Sequence, residues 1–308
     1  MAPPMTVTIL ICTHQRADSL RRTLASVVDQ ASAGDAEVVV VDNGSTDDTA
    51  AVVASFPSVR YIYESRLGLC YARNRGWQEA RAPIVAYLDD DALAAPGWLA
   101  AVRDAFSDGD PSVGCVGGPV LPDWEAPPPS WLTPDVSRAL AIIDWPGERR
   151  HLTDLAAEWL AGANLACRIT ALQKVGGFHP WLDRRGRRLL SSGDVFLELQ
   201  LLRNGYTCIY EPAMCVYHRI PAARLTRPWF RKRYFWQGVS DSLMEIIDHP
   251  SAAWRCRRAL GRIVRLLARP RSLITLFRDT EHPQLFEEQC WTWIAIGQVA
   301  GLLGAGRQ

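Results

Sequence analysis

Short apolar runs alternate with helical patterns along the first part of the chain, and this alternation constrains the fold most. Residues 38–41 and 84–88 read as strands buried on both faces, because they are continuous runs of apolar residues bounded by polar or Pro positions. Helical patterns over residues 49–56 and 69–80 separate them. Strands that alternate with helices over about 110 residues favour a parallel, doubly wound α/β sheet.

Carboxylates follow two of these predicted strands. The run at 84–88 ends in Asp89, Asp90 and Asp91, and the run at 38–41 ends in Asp42. Ligands of open α/β sheets bind beyond the carboxyl ends of the strands, so we expect these side chains to line one rim. A divalent cation, held by carboxylates and completed by substrate phosphates, would relieve their repulsion. The pattern predicts a nucleotide site, with a solvated acidic turn as the alternative.

A second cluster of chemically useful residues begins at Ser191. Ser191, Ser192 and Gly193 form a predicted turn, Asp194 opens a helix, and Gly205 ends it. A carboxylate in the first helical turn is stabilised as the anion by the helix macrodipole. Asp194 is therefore either a functional carboxylate or an ordinary N-cap.

The overall composition is that of an ordinary globular enzyme. The 308 residues carry a net charge of +1, which suits one domain plus an extension. None of the eight cysteines forms a CxxC pair and no signal peptide is recognisable, so we expect reduced thiols and a cytoplasmic protein. Of the twelve tryptophans, those in or near irregular stretches, such as Trp124, Trp131, Trp145 and Trp181, are candidates for stacking on sugar, with core packing as the alternative.

The C-terminal part of the chain is strongly basic. Residues 224–278 contain thirteen Arg or Lys and three acids, interleaved with apolar residues. We expect residues 226–308 to form mainly helices. The exposed basic face would carry Arg255, Arg257, Arg258, Arg262 and Arg265, and the opposing side would carry Leu260, Ile263, Val264 and Leu267. This pattern suits peripheral contact of 226–278 with the inner face of an anionic membrane. The alternatives are packing on the same chain or a homodimer. No nucleic-acid motif accompanies the charge, and the apolar run near 290–306 is too short for a membrane span.

Seven motifs occur in an order that resembles a known family. They are THQR after the first strand, VVVVDNGSTDDT, RNRG, LDDD, GANLACR, GGF, and SSGD followed by a helix and a strand ending at His218. Spread over residues 6–220, they resemble the inverting family-2 glycosyltransferases of the GT-A fold. The resemblance implies a Rossmann-like, mostly parallel sheet flanked by helices. The catalytic domain would span 1–225, with a nucleotide half at 6–120, an acceptor half at 121–225, and a helical extension at 226–308.

The resemblance also implies the chemistry. The donor would be a nucleoside-diphosphate sugar, most simply of UDP, and the acceptor a hydroxyl of a carbohydrate, a lipid-linked or another acceptor. Mn²⁺ or Mg²⁺ would be bound by Asp91, with Asp89 and His218 as further ligands. Asp90 would hold ribose or metal, and Asp42 would accept an N–H of the base. The remaining predicted substrate contacts are Thr13, His14, Arg16, Asn43, Arg73 and Trp181.

Asp194 is the implied general base. The family has a Glu-Asp pair at this point, whereas this chain has Gly193 before Asp194, which leaves acceptor orientation open. Asp183 and Glu198 are the alternative bases. Two other functions remain: a catalytically weakened scaffold of a polysaccharide-assembly complex, and a sugar nucleotidyltransferase. The latter would need a basic, glycine-rich phosphate loop after the first strand, where this chain has THQR.

Overall fold

The computed structural model describes residues 5–32, 35–184, 186 and 188–306. The chain divides into two compact units, neither continuous in sequence. The sheet unit comprises Met1–Asp123, Ile142–His179 and Gly193–Arg219, and the helical unit comprises Trp124–Ala141, Pro180–Ser192 and Ile220–Gln308. Two central segments of the chain thus accompany the C-terminal helices.

The elements follow the predicted alternation over the first hundred residues. The strands are β1 (Val7–Thr13), β2 (Ala36–Asp42), β3 (Val59–Tyr63), β4 (Ile84–Asp89), β5 (Ala92–Ala94), β6 (Val113–Gly117), β7 (Val120–Trp124), β8 (Arg150–His151), β9 (Asn164–Arg168), β10 (Thr207–Tyr210) and β11 (Val216–Ile220). The helices are α1 (Ala17–Ala31), α2 (Thr49–Ala54), α3 (Leu69–Glu79), α4 (Trp98–Ala105), α5 (Pro134–Ser137), α6 (Ile169–Val175), α7 (Gly193–Arg203), α8 (Arg227–Asp248), α9 (Ala252–Leu267), α10 (Pro270–Ile274) and α11 (Pro283–Leu302).

The large sheet has the strand order β3-β2-β1-β4-β9-β6-β10-β8. Its first four strands are parallel, as the sequence predicts, while β9 runs antiparallel between β4 and β6. A smaller sheet has the order β5-β11-β7. In the large sheet Thr13 lies opposite Asp42, and Cys12 lies opposite Asp89. The register therefore brings the predicted site residues to one edge.

Helices α1 and α3 pack closely on the large sheet. The strand residues Val39 and Val40 are fully buried, and Leu20 and Leu24 of α1 are fully buried as well. On α3, a methyl group at Gly76 would overlap the side chain of Leu10, so only glycine lets α3 lie directly on β1. This close packing positions the RNRG segment beside the strand ends.

The segment leading to His218 differs from the prediction of a single strand. The structure has two strands, β10 and β11, separated by a turn in which Met214 N donates to Glu211 O at 3.0 Å. Pro212 has no N–H for a strand ladder, which explains the break. His218 consequently lies in the middle of β11, opposite Ala92 of β5.

The helical unit is built on a close parallel contact of α8 and α11, in which Phe230 meets Phe286 near the start of both helices and Ser242 meets Gln298 further along. A methyl group at Gly238 would overlap the backbone at Ile294, and one at Gly297 would overlap the backbone at Phe235. The two helices therefore pack backbone to backbone, and Phe286 and Cys290 of α11 are fully buried. Among the described residues, no helix combines the length and apolar composition that crossing a bilayer requires.

Candidate active site

Three aspartates and two arginines meet at the carboxyl edge of the large sheet. Arg16 Nη1 donates to Asp90 Oδ1 and to Asp91 Oδ2, each at 2.8 Å. Arg73 Nη2 donates to Asp89 Oδ1 at 3.2 Å. The two guanidinium groups neutralise most of the repulsion among the carboxylates. Among these five residues one carboxylate charge is left unbalanced.

Asp90 is the structural centre of this turn. Its side chain is buried, and Thr13 Oγ1 donates to its Oδ2 at 2.7 Å. Thr23 Oγ1 donates to the Asp90 carbonyl oxygen at 3.0 Å, which ties the turn to α1. Burial raises the pKa of Asp90 to about 6, although Arg16 opposes this effect. Near neutral pH the carboxylate remains mostly ionised and paired.

Asp91 forms a pair with His218. Its Oδ1 lies 3.2 Å from His218 Nε2, because β11 pairs with β5 directly after the aspartates. Two ligand atoms about 2.1 Å from one cation and at right angles are about 3 Å apart, so this pair fits two neighbouring positions around a divalent metal. No group of three or more His, Cys, Asp or Glu side chains in the described part of the chain is arranged as a metal site. The third predicted ligand, Asp89, is paired with Arg73.

Asp42 lies beside the aspartate turn at the end of β2. Its Oδ1 accepts from Ser45 N at 2.8 Å, and its Oδ2 accepts from the Tyr61 hydroxyl at 2.7 Å. Burial raises the pKa of Tyr61, and the hydrogen bond to Asp42 raises it further. Tyr61 is the neighbour of Asp42 that the motif analysis missed. Its protonated hydroxyl donates a hydrogen bond to Asp42, the carboxylate predicted to bind the nucleotide base.

Asn43 organises the loop that follows β3. Its side-chain amide donates to Glu64 O at 3.1 Å and to Arg66 O at 2.8 Å, and it accepts from Gly68 N at 2.7 Å. His14 Nδ1 lies 2.8 Å from the Asn43 carbonyl oxygen, which fits an Nδ1–H donor. The Asn43 side chain is therefore occupied by backbone groups, while His14 is held at the exposed rim.

Three motifs that are distant in sequence converge on Arg73. Asn74 exchanges two hydrogen bonds with the backbone of Phe178, at 2.7 and 2.9 Å, and Phe178 places its ring 5.1 Å from the Arg73 guanidinium carbon. A methyl group at Gly162 would lie 2.7 Å from that same carbon. Gly162 N donates to Asp194 Oδ2 at 2.9 Å. Asp194 is thus linked through Gly162 and Arg73 to Asp89.

Asp194 and Glu198 share the first turns of α7 but have different environments. Asp194 is half-buried, and its Oδ1 accepts from Val195 N at 2.9 Å. Glu198 is fully buried, and both its oxygens face Leu160 N, at 3.2 and 3.1 Å. Burial raises the pKa of Glu198 well above its ordinary value, and Cys208 and Asp194 add to the effect. Asp194 is therefore the better placed of the two to act as an anion.

Most predicted site residues come together in the sheet unit. Those at its carboxyl edge are Thr13, His14, Arg16, Asp42, Asn43, Arg73, Asp89, Asp90, Asp91 and His218. The predicted residues that lie in the helical unit are Trp124, Trp131, Trp181 and Asp183. Trp181 is 43% exposed, and Asp183 has a positive φ of 65°. Trp131 packs edge-on against Phe230 and Phe286 and is core.

The motif analysis missed the roles of Gly162 and Phe178. Both lie inside motifs named from the sequence, GAN and GGF, but the sequence did not show what these two residues contact. Their role is to pack against the guanidinium group of Arg73, a contact between distant parts of the chain.

Two family models match the chain. The model of glycosyl transferase family 2 matches residues 8–147, and that of glycosyl transferase family group 2 matches residues 84–302, well over half of the chain. The chain belongs to the family-2 glycosyltransferases. Both matched regions include the aspartate turn at the centre of the site. The enzyme is accordingly a glycosyltransferase.

Curated relatives extend the similarity beyond the nucleotide half. Glucosyl-dolichyl phosphate glucuronosyltransferase of Haloferax volcanii is 27% identical over 256 residues, covering 81% of this chain and 80% of the relative. Pre-mycofactocin glycosyltransferase of Mycobacterium tuberculosis is 26% identical over 251 residues, covering 79% of this chain but only 48% of the relative. The enzyme spans about half the length of that second relative.

Solved structures show the fold. The mannosyltransferase PcManGT from Pyrobaculum calidifontis, in complex with GDP-Man and Mn²⁺, superposes with a TM-score of 0.56 at 20% identity, covering 98% of this chain and 75% of that one. GalNAc-T7 with UDP, GalNAc and Mn²⁺ gives a TM-score of 0.55 at 17% identity, covering 79% and 51%. The enzyme has the GT-A fold that the sequence predicts.

Proposed function

We propose that the enzyme transfers a sugar from a nucleoside-diphosphate sugar, most simply a UDP-sugar, to a hydroxyl acceptor with inversion at the anomeric carbon. The observation that carries this proposal is the link from Asp194 through Gly162 and Arg73 to Asp89. This link supports the proposal because it joins a half-buried carboxylate to charged groups suited to a diphosphate. Inversion needs one base on the attacking side and charge stabilisation on the leaving side.

The donor would bind along the carboxyl edge of the sheet. Asp42 would accept an N–H of the base, and Asp90, fixed by Thr13, would lie near the ribose. Arg16 and Arg73 supply the positive charge nearest to the aspartates. The Arg16 side chain is 43% exposed and can turn to the diphosphate, whereas Arg73 is buried and would act from its place beside Asp89. His14 is exposed at the same edge of the sheet.

The Asp91–His218 pair would hold one Mn²⁺ or Mg²⁺ ion. The 3.2 Å separation of their ligand atoms supports this role, as does the presence of Mn²⁺ in both solved structures. When bound, the cation neutralises charge on the diphosphate leaving group. The unbalanced carboxylate charge at the site favours binding of a cation before an anionic donor.

Asp194 would remove the proton from the acceptor hydroxyl. The first turn of α7 and the Gly162 N–H both stabilise its anionic form. Glu198 is a poorer base, because burial favours its neutral acid. Since Gly193 has no side chain, orientation of the acceptor has to come from other groups.

The acceptor is proposed to be a lipid-linked sugar, within glycolipid, polysaccharide or glycoconjugate assembly. The name of the Haloferax volcanii relative, which matches four fifths of this chain, contains glucosyl-dolichyl phosphate. That relative's name supports the acceptor class. A screen of sugar-nucleotide donors and of acceptors would identify the sugars.

The base is tested by Asp194→Asn. The amide is nearly isosteric but cannot take the proton, so transfer should fall by about 10² to 10⁴-fold while donor binding is kept. Sugar transfer is measured with the acceptor found by the screen, and donor binding by calorimetry. Asp183→Asn is the matched control and should transfer normally. Wild-type transfer by Asp194→Asn, or a comparable loss in Asp183→Asn alone, would assign the base elsewhere.

A further inference from the structure

Helix α9 turns its large apolar side chains outward. Leu260, Val264 and Leu267 are 62%, 59% and 63% exposed. Their spacing of four and three residues places them on one face of the helix. The sequence predicts an exposed arginine face with these residues on the opposing side. In the structure Arg257, Arg258 and Arg265 are exposed, and so are these apolar side chains. We call Leu260, Val264 and Leu267 the apolar stripe.

Ion pairs with α8 explain this orientation. Arg262 Nη2 lies 2.7 Å and Arg258 Nη2 lies 3.1 Å from Glu245 Oε1. Arg262 Nη1 also donates to Ser242 Oγ at 2.9 Å, and the Arg262 side chain is only 11% exposed. The buried residue on this side of α9 is the small Ala259. Two of the predicted surface arginines therefore hold α9 against its own unit, and the apolar stripe faces away.

The apolar stripe continues into the next segment of the chain. Ile274 and Phe277 are 81% and 71% exposed. Single exposed apolar residues are ordinary, but a contiguous row of large ones marks a surface that another apolar phase covers. These five exposed apolar residues fall within residues 260–277, from the second half of α9 through α10 to Phe277. Apolar side chains interleaved with basic ones are typical of helices that lie on membrane surfaces.

The charge around the stripe identifies what covers it. Residues 251–278 contain eight arginines and no acidic residue. Besides Arg258, those that are exposed are Arg257, Arg265, Arg269, Arg271 and Arg278. In a symmetric dimer the same patch would face itself, and these like charges would repel. Anionic lipid headgroups match the arginines, while the acyl region below them matches the apolar stripe.

We propose that α9 lies in the plane of an anionic bilayer surface. Leu260, Val264 and Leu267 enter the boundary between headgroups and acyl chains, and Arg257 and Arg265 contact lipid phosphates. The inference is independent of the donor, the acceptor and the catalytic base, because it concerns only the exposed face of α9.

The test is co-sedimentation of the full chain with vesicles of phosphatidylcholine, alone or mixed with phosphatidylglycerol. Wild type should bind the mixed vesicles and release as NaCl is added. Leu260→Gln/Val264→Gln/Leu267→Gln should weaken binding at least tenfold, since each large apolar side chain moved out of water favours binding by about that factor. Arg257→Gln/Arg265→Gln should weaken it about fivefold for each arginine removed.

The matched control is Leu67→Gln, which changes an exposed leucine of the sheet unit, 53% exposed, by the same chemistry. It should bind vesicles as wild type does. Circular dichroism and thermal unfolding of every variant should match wild type, because the changed side chains are exposed. No binding of wild type to the mixed vesicles at low salt overturns the proposal. Unchanged binding of the triple variant also overturns it. So does the finding that wild type is a dimer and that, among the variants, only the triple variant is a monomer.

Discussion

At the scale of single residues, two carboxyl groups one helical turn apart in α7 have acquired opposite properties. Asp194 is half-buried and accepts from Gly162 N at 2.9 Å, whereas Glu198 is fully buried. Burial raises the pKa of Glu198, and the negative charge of Asp194 contributes to the rise. The surroundings of each carboxyl group, rather than its residue type, therefore decide whether it can serve as a base or stays protonated.

Glu198→Gln should change how stability depends on pH. In wild type the folded state keeps the proton above the ordinary pKa of 4.5, while the unfolded state loses it. Stability should therefore fall as pH rises above about 4.5, by up to about 1.4 kcal/mol per pH unit, until the folded-state pKa is passed. The glutamine variant lacks this loss, so its advantage in free energy of unfolding should grow with pH. Urea titrations between pH 5 and pH 8 measure it.

The exposed Glu288 provides the control for this experiment. Glu288→Gln should leave the pH profile of stability parallel to that of wild type, since water surrounds this side chain in the folded state as it does in the unfolded state. A Glu198→Gln profile that is also parallel to wild type would contradict the buried neutral acid.

At the scale of elements, loops and glycines decide how the site is assembled. Gly76 lets α3 lie on β1, and Gly162, just before β9, leaves room for Arg73 of α3. The Asn43 amide connects the end of β2 to the loop between β3 and α3 through three backbone hydrogen bonds. These contacts set where α3 begins, and so where Arg73 meets the aspartates.

Asn43→Ala should release the loop at residues 64–68. Three backbone groups lose their partner, so the free energy of unfolding should drop by about 3 kcal/mol and amide exchange in the loop should accelerate. Thr46→Ala, which removes one exposed hydrogen bond from Gln15, is the matched control and should have little effect. If donor affinity falls in Asn43→Ala while exchange at 64–68 is unchanged, Asn43 contacts the nucleotide directly and does not act through the loop.

At the scale of the whole molecule, the candidate site lies in the sheet unit, and a second unit carries most of the basic C-terminal region. The site draws its charged groups from β4, α3, β11 and the chain just before α1. A nucleotide and a cation that bind there should stabilise the folded state by mass action.

Asp91→Ala should abolish the metal-dependent part of nucleotide binding. In wild type, UDP with Mn²⁺ should raise Tm by a few degrees over UDP alone, since ligand at 100 times its Kd contributes about 2.7 kcal/mol. The variant should fold, because Arg16 keeps Asp90 as a partner, but should show no difference between UDP with Mn²⁺ and UDP with chelator. Asp110→Ala, at the amino-terminal end of β6, is the control and should behave as wild type. An Mn²⁺-dependent shift retained in Asp91→Ala would place the metal elsewhere.

The elements and the rim of carboxylates were determined by the sequence alone. Apolar runs of strand length and helical spacing are local properties, so β2, β4, α3 and α7 could be placed within a few residues. The parallel order of the first four strands followed, and with it the meeting of Asp42, Asp89 and Thr13 at one edge.

Only the tertiary structure decided the pairings between distant segments. Arg16 between Asp90 and Asp91, Gly162 against Arg73, and the break that puts His218 inside β11 depend on register and packing across many residues. The rotation of α9 is the clearest case. Its sequence does not say which of its side chains face inward. Glu245 on α8, outside the helix, holds Arg258 and Arg262, and the apolar stripe is left exposed. Amphipathic pattern defines two faces of a helix, but the partner element decides which of them is buried.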